Sequence, residues 1–277
     1  MKQELDDFFK DKEINSLEDM NSAMNEFVFK SMKNLVNMEI NSEHTKAHEF
    51  MDKWEKNHNL KYVHKALEYY PECFLAKVCL ISNKNIFDYI VHLEEMLSVE
   101  EKRLNNTGFM KKYRMGLVFT LDGEDYLKGM NELIQTYMKI GGFFKASKLA
   151  EKILLLDNTD VLGVRFVLAG LYALLEEESK LIKLYHSRKE EYIPYYLSFM
   201  CLYYKRGDFK KAKEYLELIE KKNPYFVSYV EKNLEQKTPE NVKLGEESEV
   251  IMILDEMHYL IDFIPYIKDF IIKRGNV

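Results

Sequence analysis

A chain of 277 residues with 47% hydrophobic and 31% charged residues has ample material for a folded core, and its 11 Gly and five Pro are too few for a loop-rich or all-β protein. A formal net charge of -6 and a pI near 5.8 give no general attraction to phosphate backbones or anionic membrane surfaces, so neither nucleic acid nor membrane is an expected partner. The start, MKQELDDFFKD, lacks the apolar stretch of a secretory signal. The longest nearly apolar run, Val161 to Leu175, is too short to span a bilayer and carries Arg165. Cys73, Cys79 and Cys201 have neither metal nor disulfide spacing, which fits a reducing, cytoplasmic compartment.

In chain order, residues 1 to 14 read as a charged lead-in. Ser16 is placed to cap an amphipathic helix from Leu17 to Met38, whose apolar face carries Met20, Met24, Phe27, Val28, Met32, Leu35 and Val36. Residues 1–44 are thus expected to form an N-terminal helical cap. The spacing of Ala47, Phe50, Met51 and Trp54 predicts a helix over Thr45 to His58, then a turn at Asn57-His58-Asn59 and a second helix over Tyr62 to Tyr70. A further pair is predicted over Phe74 to Ser82 and Ile86 to Leu104, joined by Asn83-Lys84-Asn85. Asn105 to Asp125, with Gly108, Gly116 and Gly123, is too irregular for an assignment and reads as a long loop or irregular helix.

From Tyr126 a regular unit begins. Met130, Leu133, Ile134 and Tyr137 mark a first helix, Gly141-Gly142 a turn, and Ala146, Leu149, Ala150 and Ile153 a second helix. The same order recurs from Tyr192 to Tyr229: Tyr196, Phe199, Tyr203 and Tyr204, then Gly207-Asp208, then Ala212, Tyr215, Leu216 and Ile219, with Asn223-Pro224 stopping the second helix. A degenerate unit fills Asp160 to Lys189. Corresponding starts at Leu127, Val161 and Ile193 lie 34 and 32 residues apart. A short helix to about Leu234, a polar hinge from Glu235 to Ser248, and helices on either side of Pro265 complete the chain. Residues 45–234 are therefore expected to be helix-turn-helix repeats, and 235–277 a C-terminal helical cap on a single domain.

The order of aromatic, glycine turn, alanine, aromatic and proline at this period resembles the tetratricopeptide repeat. AHEFMDKWE, KALEYYPEC, Gly116 to Phe119, LLLDNTDVLGVRF and SEVIMILDEMHYLIDFIPYIKDF further resemble a group of largely uncharacterised prokaryotic tetratricopeptide-like proteins, over about four-fifths of the chain. In that group the segment before Tyr126 usually reads Thr-Arg-Pro-Tyr, where this chain has Glu124-Asp125 in place of Arg-Pro. Val161-Leu162 replace Asn-Gln, while Gly163 and Arg165 are kept. The cysteine-rich zinc motif found with some members is not in this chain. The resemblance implies an all-α, right-handed solenoid and no established reaction.

In such arrays the first helix of each unit lines a concave groove. By register the groove residues are Lys128, Asn131, Gln135 and Lys139, then Arg165 and Tyr172, then Cys201 and Lys205. The lysines and the arginine there would suit an acidic peptide or a chain-terminal carboxylate, although solvated helix charges give the same pattern. The Lys/Asn clamp of chaperone-binding repeats is only half present. Glu43-His44 and His48 place two imidazoles on one helix face with no third ligand at a recognisable spacing, so they read as an exposed polar turn. Most of the 19 Tyr and 17 Phe fall on packing positions and read as core rather than base-stacking platforms. No phosphate loop, nucleophile elbow or Cys/His arrangement is present. The expectation is a non-enzymatic, cofactor-free scaffold for a protein or peptide. The alternatives are a peptide-sensing regulator acting through another protein, and a helical enzyme or metal protein.

Overall fold

The computed structural model describes residues 42–112, 116–188, 191–232 and 241–276. The predicted capping helix over Leu17 to Met38, and the part of the hinge that holds Pro239, lie outside the described residues. Among those residues every regular element is a helix. The chain divides into two compact units, one of residues 1–129 with 156–159 and one of residues 130–155 with 160–277. The sequence reading treats the chain as a single repeat domain; the division falls at Gly129-Met130, inside one continuous helix.

In the first unit α1 (Ser42–Asn57) packs on α2 (Leu60–Tyr69), α2 on α3 (Phe74–Ile81) and α3 on α4 (Ile86–Asn106), followed by the short α5 (Phe109–Lys112). The predicted turn between the first two helices is present: His58 takes a left-handed conformation and the Asn59 side chain accepts from Lys61 N–H. Ala47, Ala66 and Ala76 are fully buried beside Met51, Val63, Cys73 and Cys79, with Phe50 and Trp54 packed against them. Small side chains at the contact let the helix axes approach.

The unassigned stretch after Asn105 resolves at its end into a 3-10 turn, Leu117–Phe119, and the start of α6 (Leu121–Lys139). Thr120 organises the junction. Its hydroxyl donates to the Leu117 carbonyl at 2.7 Å and accepts from Gly123 N–H at 3.1 Å, the bond expected of a helix N-cap. A side chain at Gly123 would meet the Leu117 carbonyl oxygen at 2.2 Å, so the glycine that reads as a breaker is what allows the helix to begin here. Asp122 and Asp125 are thereby helical.

The second unit contains α7 (Phe143–Leu156, up to Leu155), α8 (Val164–Leu174), α9 (Glu178–Arg188), α10 (Ile193–Lys205), α11 (Phe209–Lys222) and α12 (Phe226–Lys232). Then come α13 (Glu247–Met257), α14 (Tyr259–Asp262) and α15 (Ile267–Ile272). Turns at Gly141, Glu176 and Gly207 share one device: a residue at φ 75°, 58° and 74° follows a first helix, and the next N–H returns to the carbonyls of Tyr137, Tyr172 and Tyr203. The degenerate unit thus makes the same turn without glycine. Within pairs α8 packs on α9 and α10 on α11, and between pairs α8 packs on α10. Ala146 and Ala212 are fully buried, as the sequence reading requires.

The C-terminal segment differs from the expected end cap. α13 packs against α8 and α10 as well as α12, and α15 packs on α12. Tyr259 inserts beside α8 and donates from its hydroxyl to the Val167 carbonyl at 3.1 Å. Consequently Val167 to Ala173 and all of Ile193 to Tyr203 are buried. The placing of Cys201 in an open groove is therefore corrected: its thiol is fully buried, because the chain's own tail covers that helix.

Candidate functional site

The predicted groove residues fall into two groups. In the first unit Lys128 pairs with Glu124 at 2.8 Å one helical turn away. In the second unit Arg165 donates from its backbone and guanidinium to the buried Asp160 carboxylate, with the ion pair at 2.8 Å, and its guanidinium lies 4.3 Å from the Phe166 ring centre. Tyr172 is buried and donates to Glu151 at 3.0 Å. Lys205 donates to the Leu174 carbonyl and pairs with Glu176 at 3.2 Å. These side chains hold loop and helix ends together. Asn131 and Gln135 are half-buried and Lys139 is exposed, spaced along one face of α6.

A different cluster, in the first unit, concentrates polar groups that the sequence leaves far apart. α1 supplies His44 and His48 and α6 supplies Asp122 and Asp125, while Tyr70, Glu100 and Arg103 surround them. His48 Nε2 lies 3.1 Å from Asp125 Oδ2, and His44 Nδ1 lies 3.9 Å from Asp122 Oδ1. Arg103 grips Glu100 through both of its carboxylate oxygens and reaches Asp122 at 2.6 Å. Tyr70 donates to Asp122 at 3.4 Å, and its ring stacks on His44 with centroids 4.2 Å apart. Asp122 is the hub, joining Arg103, Tyr70 and His44.

The reading of His44 and His48 as an exposed polar turn does not hold. His44 is 5% exposed and Asp125 1% exposed. Burial, working against the charge, lowers the His44 pKa to about 4, so its imidazole is neutral at physiological pH. For His48 burial also opposes the charge, but the hydrogen bond and charge of Asp125 outweigh it and hold this imidazole above its ordinary value. Burial raises Asp125, with the bond from His48 acting against the rise. Burial followed by the Asp122 charge pushes the Tyr70 phenol up to about 12, so it remains a donor.

Two buried acceptor or donor atoms in this cluster, His44 Nε2 and Asp125 Oδ1, have no hydrogen-bond partner. Leaving such an atom unsatisfied costs about 1–3 kcal/mol. One ligand atom each from His44, His48 and Asp125 lies within 4.8 Å of the others, so the cluster contains a donor set able to hold a metal ion. The two histidines four residues apart were legible in the sequence; Asp125 was not, because it sits 77 residues from His48 in a segment without helical periodicity. Asp122, Arg103 and Tyr70 carry no sequence signal at all.

The chain matches no protein-family model, and no curated protein matches it. No helix among the described residues is long and apolar enough to cross a membrane.

Proposed function

We propose that the protein is a non-enzymatic, tetratricopeptide-like interaction scaffold, its helix pairs stacked as in a right-handed solenoid, that holds a peptide or partner helix against the first helices of its pairs. The observation that carries this reading is the seating of α13 on α8 and α10. A face that accepts the chain's own helix has the shape and apolar character that helix-in-groove recognition requires. The tail fills that part of the face, which leaves Asn131, Gln135 and Lys139 of α6 as the stretch available to a partner. Lys139 favours an acidic segment. A preformed surface of this kind avoids the ordering cost of binding, so few anchors suffice.

The test is affinity capture from source-cell lysate with the full chain and with the variant Asn131→Ala, Gln135→Ala, Lys139→Glu. The expected outcome is a partner held by the parent and lost by a variant of unchanged helicity; recovery of the same partners by both would sink the reading.

The peptide-sensing alternative is favoured by Tyr259, whose ring lies against Gly170 and whose hydroxyl bonds the Val167 carbonyl, so that tail and helix pairs are interlocked. On this reading a ligand competes with the tail and alters the surface that another protein reads. Increased partner capture by Tyr259→Ala distinguishes it from the static scaffold.

A further inference from the structure

We infer that His44, His48 and Asp125 form a binding site for one divalent transition-metal cation, zinc by preference, with water completing the coordination. This goes beyond the scaffold reading and does not depend on it. Two observations lead to it. His44 and His48 are four residues apart on α1 and so share a face, while Asp125 approaches from α6, placing one donor atom from each within 4.8 Å of the others. His44 Nε2 and Asp125 Oδ1 are buried and without a hydrogen-bond partner, so a simple His48–Asp125 pair accounts for only part of the cluster. A cation at the centre engages both remaining atoms.

The surroundings match what a ligand histidine needs. Asp122 stands 3.9 Å from His44 Nδ1, the ring nitrogen opposite Nε2, and is itself fixed by Arg103 and Tyr70. A carboxylate behind a ligating imidazole sets its tautomer and its orientation, leaving the other nitrogen as donor. Tyr70 stacked on the ring restricts its rotation. The His48 side chain retains 17% of its exposure, which gives the ion a route in from solvent.

Two imidazole nitrogens and one carboxylate oxygen select against calcium and magnesium, which take oxygen ligands, and suit zinc, iron(II), cobalt(II) or nickel(II). Bonds of about 2.0–2.2 Å to zinc place tetrahedral ligand atoms about 3.3 Å apart. Binding an ion would draw the three donor atoms, which lie within 4.8 Å of one another, together to that spacing.

The experiment uses the tag-free full chain, stripped with chelator, reloaded with zinc chloride and desalted before metal analysis, with a parallel cobalt(II) titration followed by visible absorption. The expected result is one zinc per chain and a four-coordinate cobalt(II) band. His48→Ala and Asp125→Asn each weaken binding by at least tenfold, whereas His92→Asn on the surface of α4 leaves it unchanged. Asp122→Asn retains the cobalt band with affinity reduced about 10–100-fold, as expected of a positioning residue.

Because the ligand variants can disturb α1, the cobalt-loaded parent supplies an independent reading: two exchangeable, paramagnetically shifted imidazole N–H signals in its NMR spectrum. A parent chain with no retained zinc and no cobalt band overturns the site, as do folded His48→Ala and Asp125→Asn chains that bind like the parent. Fewer than two shifted imidazole signals overturns the two-histidine ligand set.

Discussion

Gly170 has no room for a side chain. A Cβ placed there would come within 2.1 Å of the Tyr259 hydroxyl and 2.9 Å of its ring, and the hydroxyl is held in place by the Val167 carbonyl. Gly170→Ala is therefore expected to destabilise the protein by ~1–3 kcal/mol through overpacking. Tyr259→Phe removes the atom that clashes most closely, so the double variant should lose less than the sum of the two single changes. Urea unfolding of the four chains measures the coupling; strictly additive losses would show that Tyr259 does not lie against Gly170. Arg165 is a related case. Its position in the repeat register suggested a groove cation, yet a buried carboxylate five residues away claims it. Register places a Cα, but the destination of a long side chain depends on partners that register does not supply.

Among the elements, the three turns at Gly141, Glu176 and Gly207 share one geometry, each ending one helix and starting the next. Glu176 does so in a left-handed conformation that costs an L-residue about 1–2 kcal/mol. Glu176→Gly should stabilise the protein by roughly 0.5–1 kcal/mol, once the extra freedom of glycine in the unfolded chain and the loss of the Lys205 pair are set against the relief of strain. A rise in the thermal midpoint checks this, and a fall would mean that the Lys205 contact outweighs the backbone strain. The burial of α8 and α10 was open to reading from composition. Apart from Arg165 near the start of one and Lys205 at the end of the other, VRFVLAGLYAL and IPYYLSFMCLYYK carry no charge on any side, and a helix of that kind lies inside a protein rather than along an open groove.

For the whole molecule, the C-terminal segment is an integral part of the second unit. Val250, Ile253, Met257, Tyr259, Leu260, Ile264, Ile267, Phe270 and Ile271 are all buried there. At about 1.5–3 kcal/mol for each buried apolar side chain, their gross contribution is of the same order as the total stability of a typical protein, before the ordering entropy of the segment is subtracted. A chain ending at Lys232 is accordingly expected to lose cooperative unfolding in the second unit and to bind apolar dyes through the uncovered faces of α8 and α10. A truncated chain that melts like the parent without binding dye would show that the tail is dispensable. If the protein acts as the proposed scaffold, the tail would set how much of the face formed by α6, α8 and α10 a partner could reach.

The residue pattern alone determined that the protein is helical, where the turns at residues 57–59, 141 and 207 fall within a residue or two, and which small residues line the helix contacts; the turn at Glu176, without a glycine to mark it, came from the structure. These properties follow from interactions between residues a few positions apart: periodic apolar spacing, capping side chains and left-handed turn residues. Tertiary structure decided what each face meets. It carried Asp125 to His48, enclosed Asp122 between Arg103, Tyr70 and His44, and laid α13 over α8 and α10. Such contacts join segments tens of residues apart, and their formation depends on complementary shape and on burial that raises the cost of unpaired polar groups. Neither quantity is present in the local order of residues.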